Sequence, residues 1–156
     1  MRKSLLVHHQ RSLQAAFSLR MPNTYVSLPG FDVDSEALAE QKLAAAREEL
    51  KVMAEHIRLR HQIVQVVPGR FPRLRPFFNR FLLSDKPFSA TPDCIACRTC
   101  ERVCPVQNIT FPSSRPAWGG RCTGCLACYH HCPKHCINYG KRTIGKGQYK
   151  APKTLM

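Results

Sequence analysis

Cysteine is absent from the first 93 residues of this 156-residue chain, acidic side chains are absent from the first 31, and no apolar run exceeds a few residues. Each absence excludes something. A bilayer-spanning helix needs about 20 consecutive apolar residues, so no membrane span is expected. Leu5, Leu6 and Val7 are too short an apolar core for a secretory signal. A Gly/Ser/Thr-rich loop opening a helix, the usual cradle for phosphate, is also missing. Hydrophobic residues still make up 44% of the chain, which is a globular composition rather than a disordered one.

The charge is one-sided. There are 24 Lys and Arg against 10 Asp and Glu, a formal net charge of +14. Such a balance favours an acidic protein partner, an anionic surface or nucleic acid. The Arg- and Ser-containing stretch before Asp32 superficially suits a mitochondrial presequence; the basic edge of a folded segment is the preferred reading.

Along the chain, Ala16, Phe17, Ser18 and Leu19 read as an extended stretch ending at Met21 and Pro22. Asn23, Pro29 and Gly30 then mark loops. A long helix is expected from about Ser35 to Arg60, with Asp34 or Ser35 as its N-cap. Leu43, Ala46, Leu50, Met53 and Ile57 recur at spacings of three and four, an apolar stripe read as packing surface. Residues 61–87 read as a connector rich in Pro, Arg and Phe. Its Arg70, Arg73, Arg75 and Arg80 are expected to face water, and Phe77, Phe78, Phe81 and Leu82 to form a helical turn or two.

All nine cysteines lie between Cys94 and Cys136. An odd number in one tight block does not suit paired disulfides, and spacings of two intervening residues suit thiolates gathered on metal in a reducing compartment. The block is a repeat: CIACRTCERVCPVQNITF from Cys94 and CTGCLACYHHCPKHCINY from Cys122, offset by 28 residues throughout. Each copy reads C-x2-C-x2-C-x3-C-P. Three cysteines at successive spacings of three wrap one iron–sulfur cube, and in two-cluster proteins with this run the fourth ligates the other cluster.

Two [4Fe–4S] clusters are therefore expected. The first falls to Cys94, Cys97, Cys100 and Cys132, the second to Cys104, Cys122, Cys125 and Cys128. Zinc sites pair a C-x2-C with a distant pair of ligands, which this run does not do. Eight ligating thiolates and two oxidised cubes would leave the holo-protein at about +10.

A segment this short buries little apolar surface, so cluster ligation is expected to replace the missing core. With every ligand position thiolate, no iron is left open for a substrate. The expectation is single-electron exchange, by an electron-transfer protein rather than an enzyme with its own substrate site. Ala96, Gly124 and Ala127 are small enough to let backbone N–H groups reach the sulfurs. Arg98, Arg102 and Arg121 are expected to raise the potential. Cys136, the ninth cysteine, matches Asn108 in the first copy and reads as a small packed thiol beside the first cluster. His130 and His131 read as solvated bystanders, and Trp118 and Tyr139 as covers over the clusters.

At its two cysteine runs the chain resembles bacterial two-cluster [4Fe–4S] ferredoxins. FSLRMPNTYV, the helix around EQKLAAAREELKVMAEHI, and YGKRTIGKGQY extend the resemblance to proteins that fuse a flavodoxin-like domain to a ferredoxin domain. The resemblance implies an α+β architecture: a pseudo-twofold two-cluster ferredoxin-like domain preceded by a residual strand and long helix of a flavodoxin-like α/β domain. The expected divisions are a partial flavodoxin-like segment at 1–60, the connector at 61–87, the ferredoxin domain at 88–140 and a loosely packed basic tail at 141–156. Most of the flavodoxin-like domain would be missing, the chain being a truncated product or fragment, and FMN is not expected to bind.

The expected partner is a redox protein, acidic or flavin-containing, with further association through residues 1–60 and a cytoplasmic location. Two other classes stay open: a flavin-linked oxidoreductase subunit, and a non-catalytic iron–sulfur sensor that binds nucleic acid. The last is disfavoured because no aromatic RNA-binding motif or DNA-reading helix is evident.

Overall fold

The structure, a computed structural model, describes residues 13–67 and 84–151. The N-terminal residues before 13, the arginines at 70, 73, 75 and 80, and the Phe77–Leu82 turn lie outside those residues. The described residues form two compact units, one of residues 13–22 and 35–67, the other of 23–34 and 84–151.

The first unit is a strand, a helix and a strand. β1 (Ala15–Phe17) and β2 (Ile63–Gln65) pair in parallel, with Ala15 opposite Ile63 and Phe17 opposite Gln65. Parallel neighbours need a long crossover, which α1 (Glu36–Arg58) supplies. Ser35 caps α1, its side chain accepting from the Leu38 N–H at 3.4 Å. At the other end Arg60 turns left-handed at φ 52°, while its N–H reaches the Ile57 carbonyl and the His61 N–H reaches the His56 carbonyl. This is a Schellman ending. β2 falls inside the stretch read from sequence as a connector, so ordered structure continues past residue 60.

Only part of the expected stripe on α1 is covered. Ala39, Leu43 and Ala46 are buried, whereas Leu50 is 49% and Ile57 62% exposed. Three-residue strands extend about 10 Å, and a 23-residue helix about 34 Å. Two such strands cannot shield its whole length.

The second unit is built from short elements: β3 (Phe88–Ala90), α2 (Thr99–Arg102), β4 (Ile109–Thr110), β5 (Ala117–Trp118), α3 (Ala127–His130) and β6 (Ile137–Tyr139). β3 pairs antiparallel with β6, and β4 with β5. The sequence repeat persists in the backbone. α2 and α3 lie 28 residues apart, and so do three pairs of left-handed residues: Ala96 and Gly124, Arg98 and Leu126, Gln107 and His135. The core joins Val26, Phe88, Ile109, Leu126, Tyr129, Ile137 and Tyr139 to four cysteines, Cys100, Cys128, Cys132 and Cys136. Thiols thus stand where a larger domain would place aliphatic side chains.

Two boundaries differ from the sequence reading. Residues 23–34 belong to the cysteine-bearing unit, not to the strand and helix that flank them in sequence. Nor is the tail loose up to residue 151. Thr143 is buried, Lys146 Nζ donates to the carbonyls of Val26 at 2.6 Å and Leu28 at 2.7 Å, and the Gly147 N–H donates to Asp32 Oδ1 at 2.9 Å. The cationic head of Lys146 is held by main-chain acceptors, so its charge does not force the segment into water.

Candidate metal centre

Each α-helical turn carries the middle of a cysteine run. The left-handed residue before it (Arg98 or Leu126) reverses the chain, so that the cysteines on either side face one space. Two thiol-lined cavities result. Cys94, Cys97, Cys100 and Cys132 line the first, with Cys136, Arg98 and Phe111. Cys104, Cys122, Cys125 and Cys128 line the second, with Phe88, Asn108 and Trp118. The fourth cysteine of each run therefore lies in the cavity of the other run.

Among the described residues, no three His, Cys, Asp or Glu side chains converge on a single-ion position. One zinc ion draws its thiolates to within about 2.3 Å of a point; a cube of irons and sulfides holds its four thiolates at separate corners. Four thiols spread around a cavity fit the cube.

Burial governs the free thiols. It pushes Cys100 up to about 11, Cys128 up to about 12 and Cys136 up to about 12, and raises Cys122. Neutral thiols can thus serve as core, and metal binding must expel their protons. Cys97 is pulled down, chiefly by the Thr99 hydroxyl 3.4 Å from its sulfur.

Backbone donors also reach sulfur: the Asn108 N–H lies 3.2 Å from Cys104 Sγ, and the Gly124 N–H 3.3 Å from Cys122 Sγ. The Trp118 indole Nε1 is buried with no hydrogen-bond partner among the described residues. It sits close enough to Cys128 to oppose the effect of burial on that thiol, without closing a hydrogen bond of normal geometry. An unmatched buried N–H facing a thiol-lined cavity fits a sulfur-rich anionic occupant.

Other residues divide between those the sequence located and those it did not. Arg98 lines the first cavity and stacks over Phe111 at 5.4 Å. Arg102 binds the Cys97 carbonyl at 2.9 Å, and Arg121 the Gln107 carbonyl at 3.2 Å. Cys136 is a packed thiol beside the first cavity, with its sulfur 3.4 Å from that of Cys132. Its counterpart Asn108 is buried and donates to Asp85 Oδ2 at 2.9 Å, while its side-chain oxygen accepts from the Arg121 N–H at 2.7 Å.

His130 is not solvated. It is 4% exposed, its Nδ1 accepts from the Tyr149 N–H at 3.1 Å, and Nε2 donates to the Thr24 carbonyl at 2.7 Å. Burial lowers its pKa. Trp118 covers the second cavity as expected. Tyr139 lines neither; its ring packs edge-on against Phe88 and its hydroxyl binds the Ser84 carbonyl at 2.9 Å. Asp85, which accepts from both Asn108 and Gly120, was missed, since a lone acidic residue in a loop carries no pattern.

A small unit of mixed helix and strand, with cysteines gathered in this way, is an iron–sulfur domain of the ferredoxin type. In particular, residues 93–137 match the family described as the 4Fe-4S dicluster domain. No curated protein and no solved structure matches the chain. No helix among the described residues is long and apolar enough to cross a membrane.

Proposed function

We propose that this chain transfers electrons through two [4Fe–4S] clusters, as a ferredoxin-type carrier or a module of a redox complex. One cluster would be held by Cys94, Cys97, Cys100 and Cys132, the other by Cys104, Cys122, Cys125 and Cys128. The observation that carries this reading is the exchange of the fourth cysteine between the two cavities. The 28-residue offset in left-handed positions and helical turns supports a pseudo-twofold domain. Such clusters exchange single electrons, with potentials set by charge, hydrogen bonds to sulfur and solvent access. Full thiolate ligation favours an electron-transfer role over a substrate site.

The partner we propose is an acidic or flavin-containing redox protein in the cytoplasm, met by the basic surface. Cys125, the one ligand of the eight classed as exposed, is the natural point of exchange. The parallel strand–helix–strand of the first unit is the building block of flavodoxin-like sheets, and its exposed Leu50, Val52, Ile57 and Val64 favour association with another chain. FMN would reside on that partner, since this sequence has no phosphate-binding loop.

Anaerobically purified protein should contain about eight irons and eight sulfides per chain, no flavin, and one-electron reduction at two centres. Zinc, or iron without acid-labile sulfide, would overturn the proposal.

A further inference from the structure

Trp118 gives the second cavity an indole donor, which the first lacks. β4 and β6 are the repeat-related strands, with Ile109 and Ile137 at matching positions 28 residues apart. On β5 the residue opposite Ile109 is Trp118; on β3 the residue opposite Ile137 is Ala90. At matching register, therefore, one strand pair carries an indole and the other a methyl group.

The indole is held in place. Its ring stacks on Phe88 with centroids 5.3 Å apart and planes 10° from parallel. That stacking fixes the direction of Nε1, which is buried at the second cavity without a partner among the described residues. Leaving a buried N–H unpaired costs about 1–3 kcal/mol. An acceptor is called for: Asn108 Oδ1 already accepts from the Arg121 N–H, and the sulfurs of Cys104, Cys122, Cys125 and Cys128 line the same cavity.

We propose that the Trp118 indole N–H donates a hydrogen bond to sulfur of the iron–sulfur group held by Cys104, Cys122, Cys125 and Cys128, making the two redox centres of the chain unequal. The inference rests on the two-cluster reading above. Sulfur accepts more strongly when its cluster has gained an electron. The donor therefore favours the reduced state and raises that centre's potential. No electron or atom moves to Trp118, which acts as a positioning residue.

Trp118 is the single tryptophan of the chain, so tryptophan labelled with ¹⁵N in the indole ring marks one site. In the reduced holo-protein, pulsed EPR is expected to show ¹⁵N coupling to one of the two centres and not the other. Trp118→Phe keeps an aromatic ring against Phe88 and removes the N–H. It is expected to lower one midpoint by three- to tenfold in the reduction equilibrium, tenfold being about 59 mV for one electron, and to leave the other in place.

Absence of ¹⁵N coupling overturns the inference even if the variant fails to fold. So do two unmoved midpoints, or two that move together. Iron and sulfide counts on the same samples separate this failure from that of the two-cluster reading: one centre per chain would sink the reading and the inference with it, whereas two centres without indole coupling would sink the inference alone.

Discussion

The His130 ring donates from Nε2 to the carbonyl oxygen of Thr24, 2.7 Å away in space and 106 residues away in sequence. Nδ1 of the same ring accepts from Tyr149. One side chain between two proposed ligand cysteines, Cys128 and Cys132, thus fastens both an early loop and the late tail to the domain. Replacing it with alanine leaves a buried N–H and a carbonyl unpaired. His130→Ala should lower stability by about 3 kcal/mol, seen as a lower guanidinium midpoint of the anaerobic holo-protein. An unchanged midpoint would mean that residues 23–34 are not fastened in this way.

Gly147 tests the same attachment from the tail side. A Cβ built there would lie 2.4 Å from Cγ2 of Val33, a branched side chain with few places to go. Gly147→Ala should cost about 1–3 kcal/mol, and adding Val33→Ala should restore part of the loss. Equal thermal unfolding of the wild type and Gly147→Ala would contradict the packing described.

Removal of the clusters should undo the second unit. Four of its buried core residues are cysteines, and three of those are proposed ligands. Few aliphatic side chains remain to hold the fold when the thiols are released. Iron removal by acid or chelator is expected to abolish most of the circular dichroism of that unit. Near-identical spectra before and after removal would refute the coupling.

Arg98 lines the first cavity, and its side chain is 58% exposed and 3.7 Å from Glu101. A cation there favours the more negative, reduced cluster. Arg98→Gln should lower one midpoint, with the difference shrinking as salt screens the charge. Midpoints that match at all ionic strengths would show that this charge does not act on the cluster.

The parts legible in the sequence were those written in local spacing. The eight cysteines and their 28-residue offset reappear as matched turns and cavities, because the turns that gather them are set by residues close in sequence. The Ser35 cap and the end of α1 near Arg60 were legible for the same reason. What escaped was non-local. β2 is a short strand whose only marker is its pairing with β1, and residues 23–34 join the second unit through the carbonyls of Thr24, Val26 and Leu28 together with single side chains, Val26 in the core and Asp32 on Gly147, that form no local pattern. His130 looked like an unpaired histidine because its partners are backbone atoms of Thr24 and Tyr149. The outer half of the α1 stripe was periodic in sequence but had too little sheet to cover it.

The exchange of ligands between the two halves is tested most directly by iron counts on paired serine substitutions. Cys132→Ser should lose half of the iron, and adding Cys94→Ser should lose no more, because both residues serve one cluster. Adding Cys122→Ser instead should remove the remaining half. The account is contradicted if Cys132→Ser with Cys122→Ser keeps half of the iron while Cys132→Ser with Cys94→Ser keeps none, since each run would then hold its own cluster.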